Sequence, residues 1–97
     1  MTIRSFADKE IQRFFDSGKA PIKSSWKHLS RVALRKLDML NYAVELKDLR
    51  TPPGNKLELL KGNRKNYYSV RINEQWRVVF IWGDEGAEEV DIVDYHK

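Results

Sequence analysis

The sequence contains no cysteine and only two histidines, His28 and His96. Disulfide bonds are therefore excluded. A structural zinc site would have to complete its ligand set with carboxylates, which is unusual for zinc. We expect neither a metal nor another cofactor.

Long apolar segments are missing too. No run approaches the roughly 20 residues that a membrane-spanning helix needs, and residues 1–6 carry Arg4 with no apolar stretch behind it. Such a start is unlike a secretory signal. We expect a cytoplasmic protein that does not contact a membrane.

What the chain does have is the composition of a soluble globular protein, with 41% hydrophobic and 33% charged residues. Its length of 97 residues predicts one domain over residues 1–97. The formal net charge of +4 favours polyanionic partners, because each phosphate neutralised by Lys or Arg releases condensed counterions. A merely solvated charge is the simpler alternative.

The first half of the chain is predicted to be helical. Residues 3–6 alternate weakly and predict a short strand, after which Asp8 is a suitable N-cap and Gly18 a suitable end for a first helix. Ser24 or Ser25 is predicted to cap a longer helix. Its apolar residues recur every three or four positions, at Trp26, Leu29, Ala33, Leu37, Leu40 and Val44.

The opposite face of that longer helix is basic. Lys27, Arg31 and Arg35 follow one another at spacings of four, so their like charges repel slightly and an anionic partner would relieve the repulsion. A solvated helix face is the alternative.

The second half of the chain is predicted to form strands. It begins after residues 51–54 (TPPG), which interrupt regular structure. Apolar residues then alternate with a period of two, at Tyr68, Val70, Ile72, Trp76, Val78, Phe80 and Trp82. Tight turns at residues 73–75 and 83–86 suit antiparallel hairpins. The predicted fold class is α+β, with two helices on one face of a small antiparallel sheet.

Two arginines are predicted to face each other on the other side of this sheet. If Ile72 pairs with Trp76, then Arg71 lies opposite Arg77, with Tyr67 and Ser69 on the same face. Like charges in this position need a carboxylate or a bound anion. Alternatively, Arg71 extends into water and Arg77 pairs with a carboxylate of the last strand, Asp91 or Asp94.

Two further segments carry polar chemistry. Lys56, Lys61, Arg64 and Lys65 surround a glycine-containing turn, which can hold phosphates or can be a solvated hairpin. Residues 94–96 (DYH) combine a potential base, a phenol and an imidazole. A polar tail is the alternative there.

Four segments together resemble the HigB branch of the RelE superfamily of toxins. They are residues 3–6 (IRSF), 59–64 (LLKGNR), 68–77 (YSVRINEQWR) and 93–96 (VDYH), and the resemblance covers nearly the whole chain. It implies a RelE-like fold with an N-terminal strand, binding in the A site of the 70S ribosome and cleavage of messenger RNA there. It also implies neutralisation by a HigA-type helix-turn-helix antitoxin.

The resemblance carries the family's functional positions onto Lys61, Arg77, Asp94, Tyr95 and His96. Relatives have a histidine where this chain has Glu58, so any acid or base role passes to a carboxylate or lapses. Asn63 and Asn66 replace a familiar Asp and Gly, and Asn tolerates a positive φ. The residues expected to contact RNA or the ribosome are Arg64, Lys65, Arg71, Tyr67, Lys27, Arg31 and Arg35.

The implied reaction is metal-independent attack of a 2′-hydroxyl on the adjacent phosphorus. We hypothesise that Asp94 or Glu58 accepts or relays the proton and that His96 acts as an acid or charged stabiliser. Arg77 and Lys61 neutralise the phosphorane, and Tyr95 stacks on a base. The rivals are a ParE-like toxin that inhibits gyrase and a basic RNA-binding module without catalysis.

Overall fold

The computed structural model describes residues 2–95 and has the predicted α+β architecture. Helices α1 (Lys9–Ser17) and α2 (Ser30–Tyr42) precede a four-stranded antiparallel sheet of order β1-β2-β3-β4. No helix in this part of the chain is long and apolar enough to span a membrane. The strands are β1 (Glu58–Leu59), β2 (Tyr67–Arg71), β3 (Trp76–Gly83) and β4 (Gly86–Asp94).

Helix α1 begins and ends where the sequence predicts. The Asp8 side chain accepts a hydrogen bond of 2.6 Å from the Glu10 N–H, and Gly18 closes the helix in the left-handed conformation at φ 76°. Ile11 and Phe14 are the buried residues of this helix.

Helix α2 starts later than predicted. Neither Ser24 nor Ser25 caps it, because the Ser24 hydroxyl donates to the Pro21 carbonyl and closes a preceding turn. A short 3₁₀ helix, Lys27–Leu29, leads directly into α2.

The assignment of Val44 to the core stripe was wrong. Helix α2 ends at Tyr42, and Val44 lies beyond it with 85% of its surface exposed. The chain turns away here because the Glu45 and Val44 N–H groups both donate to the Asp48 carboxylate, which lowers its pKa. These bonds start another 3₁₀ helix, Leu46–Arg50.

Both helices pack on one face of the sheet. Phe14 of α1 and Leu37 of α2 are fully buried in one apolar cluster with Val78 and Phe80 of β3. Since side chains alternate along a strand, the residues between them face the other side of the sheet. Residues 51–54 (TPPG) were predicted to interrupt regular structure between the helices and the sheet. They do so, although Pro53–Asn55 form a single 3₁₀ turn.

The predicted N-terminal strand consists of two isolated parallel bridges to β4, Ile3 with Ala87 and Phe6 with Val90. The Arg4 N–H donates to the Ala87 carbonyl at 2.7 Å. Close approach of the two segments is possible because residue 86 is glycine: a Cβ there would collide with the Thr2 carbonyl, and its φ of 135° disfavours other residues.

We therefore expect Gly86→Ala to lower the free energy of unfolding by about 2 kcal/mol or more, because strain and the backbone collision act together. Gly54→Ala is the matched control, since no atom lies within 4 Å of a Cβ at that position. Its effect should stay within roughly 0.5 kcal/mol. Urea unfolding of both variants gives the comparison, and equal midpoints would contradict the parallel pairing.

Candidate active site

The register of the sheet brings the two predicted arginines together. Arg71 of β2 lies directly opposite Arg77 of β3, and the Ile72 N–H donates to the Trp76 carbonyl at 2.9 Å. The predicted facing pair is confirmed. On the far side of β2, Glu58 of β1 lies opposite Ser69.

The Arg77 side chain is buried and its guanidinium is held from several sides. Its NH1 group donates to the Ser69 hydroxyl at 2.9 Å and to the Lys56 carbonyl at 3.1 Å, and its NH2 group pairs with Glu58 Oε1 at 3.3 Å. Only 5% of the residue is exposed. A planar guanidinium suits this arrangement because its N–H groups fan out in a fixed fork.

The alternative pairing of Arg77 with Asp91 or Asp94 was wrong. Glu58 takes the guanidinium because β1 brings this carboxylate over Ser69, which lies next to Arg77. Asp94 instead accepts a 2.8 Å hydrogen bond from Gln75 Nε2. Asp91 is half-buried opposite Val79, and this burial raises its pKa.

Tyr95 completes a cluster with Glu58 and Arg77. The Tyr95 ring lies over the guanidinium with 4.3 Å between Arg77 Cζ and the ring centroid, a cation–π contact. Its hydroxyl donates to Glu58 Oε2 at 3.2 Å. The two oxygens of Glu58 are thus oriented by different partners, while the Glu58 side chain remains 44% exposed. We call this the Glu58–Arg77–Tyr95 cluster.

A buried asparagine holds the loop that supplies the Lys56 carbonyl. Asn55 Nδ2 donates to the Leu49 and Thr51 carbonyls, and its Oδ1 accepts from Lys36 Nζ at 2.6 Å. Burial, followed by the charge of Arg35, lowers the pKa of Lys36. Lys56 itself is left-handed at φ 45°, so the turn after Asn55 directs its carbonyl to Arg77.

The basic loop after β1 makes a short 3₁₀ turn, Gly62–Arg64. Arg64 Cζ lies 5.4 Å from the centroid of the Tyr67 ring, while Lys61 and Lys65 are exposed. Asn66 has φ 75°. This confirms the expectation that asparagine tolerates a positive φ in this turn.

Two open clefts meet at Tyr95, which lines both. The Lys61 cleft has a volume of about 740 Å³ and is lined by Leu60, Lys61, Asn63, Arg64, Val79, Val93, Asp94 and Tyr95. The Arg71 cleft has a volume of about 340 Å³ and is lined by Lys56, Arg71, Glu74, Arg77 and Tyr95. Both combine cations with an aromatic ring, as surfaces for single-stranded nucleic acid do.

Comparison with known proteins shows the family of this chain. A family model described as "RelE-like toxin of type II toxin-antitoxin system HigB" matches residues 4–96. The chain belongs to this HigB-like toxin family. As a type II toxin, it has an antitoxin as its partner.

Two relatives of the toxin are named HigB. Toxin HigB-1 of Vibrio cholerae is 39% identical over 94 residues, which cover 95% of each chain. Endoribonuclease HigB of Proteus vulgaris is 28% identical over 100 residues, covering 97% of this chain and 99% of the relative.

Solved structures share the fold of the toxin. A YoeB-YefM complex from Staphylococcus aureus matches at a TM-score of 0.60 and 20% identity, over 100% of this chain and 98% of the other. A YafQ mutant from E. coli matches at 0.58 and 13% identity, over 97% and 92%. At these identities the likeness concerns the fold alone.

Some of the toxin's predicted site residues do not join the clefts. Lys27, Arg31 and Arg35 are exposed, but α2 packs on the sheet face opposite to Arg77. His96 lies outside the described residues, so its role stays a prediction. Among residues 2–95, no group of three or more His, Cys, Asp or Glu side chains is arranged to hold a metal ion.

Sequence reasoning missed three contributors to the site. Ser69 was placed on the correct face of the sheet but was given no role. The period of two that places Arg77 on this face also places Ser69 there, next to it. Gln75 was treated only as a turn residue, whereas it holds Asp94. The Lys56 carbonyl could not be foreseen, because it depends on a left-handed backbone at a lysine.

Proposed function

We propose that this HigB-like toxin is an endoribonuclease that cleaves messenger RNA in the A site of the 70S ribosome without a metal ion. Family membership and the relative named Endoribonuclease HigB support the activity. The observation that carries the assignment is the Glu58–Arg77–Tyr95 cluster, an oriented carboxylate next to the cationic Lys61 cleft.

Glu58 is the proposed base. It is half-exposed, and Arg77 and Tyr95 orient its two oxygens, so a 2′-hydroxyl that reaches it would transfer its proton to a carboxylate of defined position. The freed 2′-oxygen then forms a bond to the adjacent phosphorus as the bond to the 5′-oxygen breaks. The products are a 2′,3′-cyclic phosphate and a 5′-hydroxyl.

Lys61 is the proposed partner of the negative charge that develops on the phosphorane. It lines the cleft and is exposed, so its ammonium group can approach the phosphoryl oxygens. Arg77 is a positioning residue rather than a direct phosphate ligand, since Tyr95 covers its guanidinium. The Tyr95 ring offers a surface on which a base can stack.

The leaving 5′-oxygen needs a proton. His96 is the proposed acid, because it follows Tyr95 directly and carries the side chain that titrates near neutral pH. Asp94, held by Gln75 on the wall of the Lys61 cleft, can relay the proton or hold the imidazole. This set of residues is sparse for a ribonuclease.

Ribosome dependence follows from that sparseness. A ribosome that holds the messenger rigidly can contribute on the order of 7 to 11 kcal/mol through orientation. Lys27, Arg31 and Arg35 lie away from the clefts and are proposed to contact ribosomal RNA, whereas Arg64, Lys65 and Tyr67 contact the messenger. We further propose that the toxin acts in the cytoplasm and that its antitoxin is a HigA-type helix-turn-helix protein.

We expect the purified toxin to cut messenger RNA in programmed 70S ribosomes with an empty A site, and to leave the same RNA nearly intact without ribosomes. Primer extension on both samples maps the cuts. A toxin stock that has been treated with EDTA and then separated from it should cut equally, because no metal ion bound to the toxin is needed. Equal cutting of free RNA would contradict ribosome dependence. Gyrase inhibition without cutting would favour a ParE-like toxin instead.

A further inference from the structure

The facing arginines of the sheet share one carboxylate, and Arg77 takes it. Glu58 pairs with the Arg77 guanidinium and with the Tyr95 hydroxyl. Within residues 2–95, Arg71 has no ion pair within 4 Å, although it lies directly opposite Arg77 and is only partly exposed. Two adjacent cations in a sheet are unfavourable unless an anion lies close to both.

The cleft at this pair is positively charged. Among the described residues, Lys56, Arg71 and Arg77 line it together with one acidic residue, Glu74. Because Glu58 already pairs with Arg77, a formal charge of +1 remains at the cleft. Its volume of about 340 Å³ lies at the lower end of the range for ligand pockets, roughly 300 to 1,000 Å³. An anionic group of small size fits both the charge and the space.

Tyr95 connects this cleft to the proposed catalytic one, because its side chain borders both. A strand of RNA whose base stacks on Tyr95 would therefore have both clefts within reach of its backbone. An acidic peptide would gain nothing from the ring, whereas stacking on an aromatic side chain contributes about 1 to 3 kcal/mol per base in single-stranded nucleic acid.

We propose that the Arg71 cleft binds the phosphodiester group next to the scissile one, which lies in the Lys61 cleft. This inference rests on the proposed function. Arg71 supplies the main contact as a bidentate donor to two phosphate oxygens, and Lys56 adds a second charge. Because a phosphate contact fixes register without reading sequence, the cleft sets which bond lies at Glu58.

The test measures binding of the toxin to 70S ribosomes programmed with a message whose A-site codon carries 2′-deoxynucleotides, so that it cannot be cut. Arg71→Gln should weaken binding about tenfold and reduce the slope of log affinity against log salt by about 1. Glu74→Gln should strengthen binding several-fold, because it removes the one carboxylate among the described residues that line the cleft. Arg13→Gln, an exposed arginine of α1, is the matched control and should change nothing.

A neutral methylphosphonate at the neighbouring linkage locates the contact. This methylphosphonate should weaken binding by the wild-type toxin about tenfold and should not weaken binding by Arg71→Gln any further. The coupling between Arg71 and the methylphosphonate should occur only when the neutral linkage lies on one particular side of the scissile linkage. Equal losses in both proteins overturn the proposal. Loss of antitoxin binding by Arg71→Gln with RNA binding intact also overturns it and assigns the cleft to an acidic segment of the antitoxin.

Two readouts separate this proposal from the proposed function. Wild-type cleavage of an unmodified message, without the methylphosphonate coupling, would overturn the subsite and leave the ribonuclease in place. Coupling between Arg71 and the methylphosphonate, without any cleavage of the unmodified message, would leave the subsite in place and overturn the ribonuclease. Thermal unfolding of Arg71→Gln should be unchanged or improved, because the substitution removes one of two facing cations, so weaker binding cannot be attributed to misfolding.

Discussion

Replacing Arg77 by glutamine should slow single-turnover cleavage on programmed ribosomes by about 10² to 10³-fold, because Glu58 and Tyr95 both lose the group that positions them. The same substitution should lower the free energy of unfolding by about 2 to 4 kcal/mol. It leaves the buried Ser69 hydroxyl and the Lys56 carbonyl without their donor, and each unsatisfied buried group costs about 1 to 3 kcal/mol.

Two further variants separate the role of Arg77 in positioning Glu58 and Tyr95 from its effect on the free energy of unfolding. Arg77→Lys keeps the charge but cannot reproduce the guanidinium fork, so we expect cleavage to recover only partly. Ser69→Ala removes one contact of Arg77 and should destabilise the protein while leaving cleavage nearly unchanged. Urea unfolding and single-turnover assays at a temperature where all variants are folded give both quantities. Cleavage at the wild-type rate by folded Arg77→Gln would remove Arg77 from the site.

Glu58→Gln should slow cleavage by about 10² to 10⁴-fold, the range for loss of a general base, with little change in ribosome affinity. Glutamine has the same shape and can still accept a hydrogen bond from Tyr95, but it cannot hold the proton of the 2′-hydroxyl. The measurement is single-turnover cutting at saturating toxin, which separates chemistry from binding. Glu10→Gln, an exposed carboxylate of α1, is the matched control.

Glu58→His tests whether the position serves proton transfer in general. Histidine is the residue that the family resemblance implies at this position, so this variant should recover most of the rate lost in Glu58→Gln. Its rate should decline below about pH 6.5, where imidazole becomes protonated. Wild-type cleavage by Glu58→Gln would instead assign the base to Asp94 or His96.

The fold was predictable from the sequence where local chemistry decides the structure. Asp8 and Gly18 bound α1 because a cap and a left-handed glycine act within a few residues. The facing of Arg71 and Arg77 followed from the period of two and the short turn between the strands. The start of α2 was not predictable, because a 3₁₀ helix competes with the serine caps there.

The candidate site was predictable in its members but not in its pairings. Resemblance indicated Glu58, Arg77 and Tyr95, yet the two carboxylates considered by name as alternative partners of Arg77, Asp91 and Asp94, lie on the wrong strand. Only the pairing of β1 with β2, which connects residues 11 positions apart at Glu58 and Ser69, brings the carboxylate to the guanidinium. Such non-local contacts depend on the register of β1. A strand of two residues is too short for hydrophobic periodicity to determine its register.

The parallel bridges between the N-terminal segment and β4 also bear on synthesis of the toxin. β4 lies between β3 and residues 2–7, and both of these neighbours precede it in the chain. A nascent chain that still lacks β4 leaves residues 2–7 without their strand partner and β3 paired with β2 alone, and non-local pairing of this kind forms only when both segments are free. Tyr95, which follows β4, also reaches Arg77 only then. The Glu58–Arg77–Tyr95 cluster is therefore complete only after β4 has paired with β3.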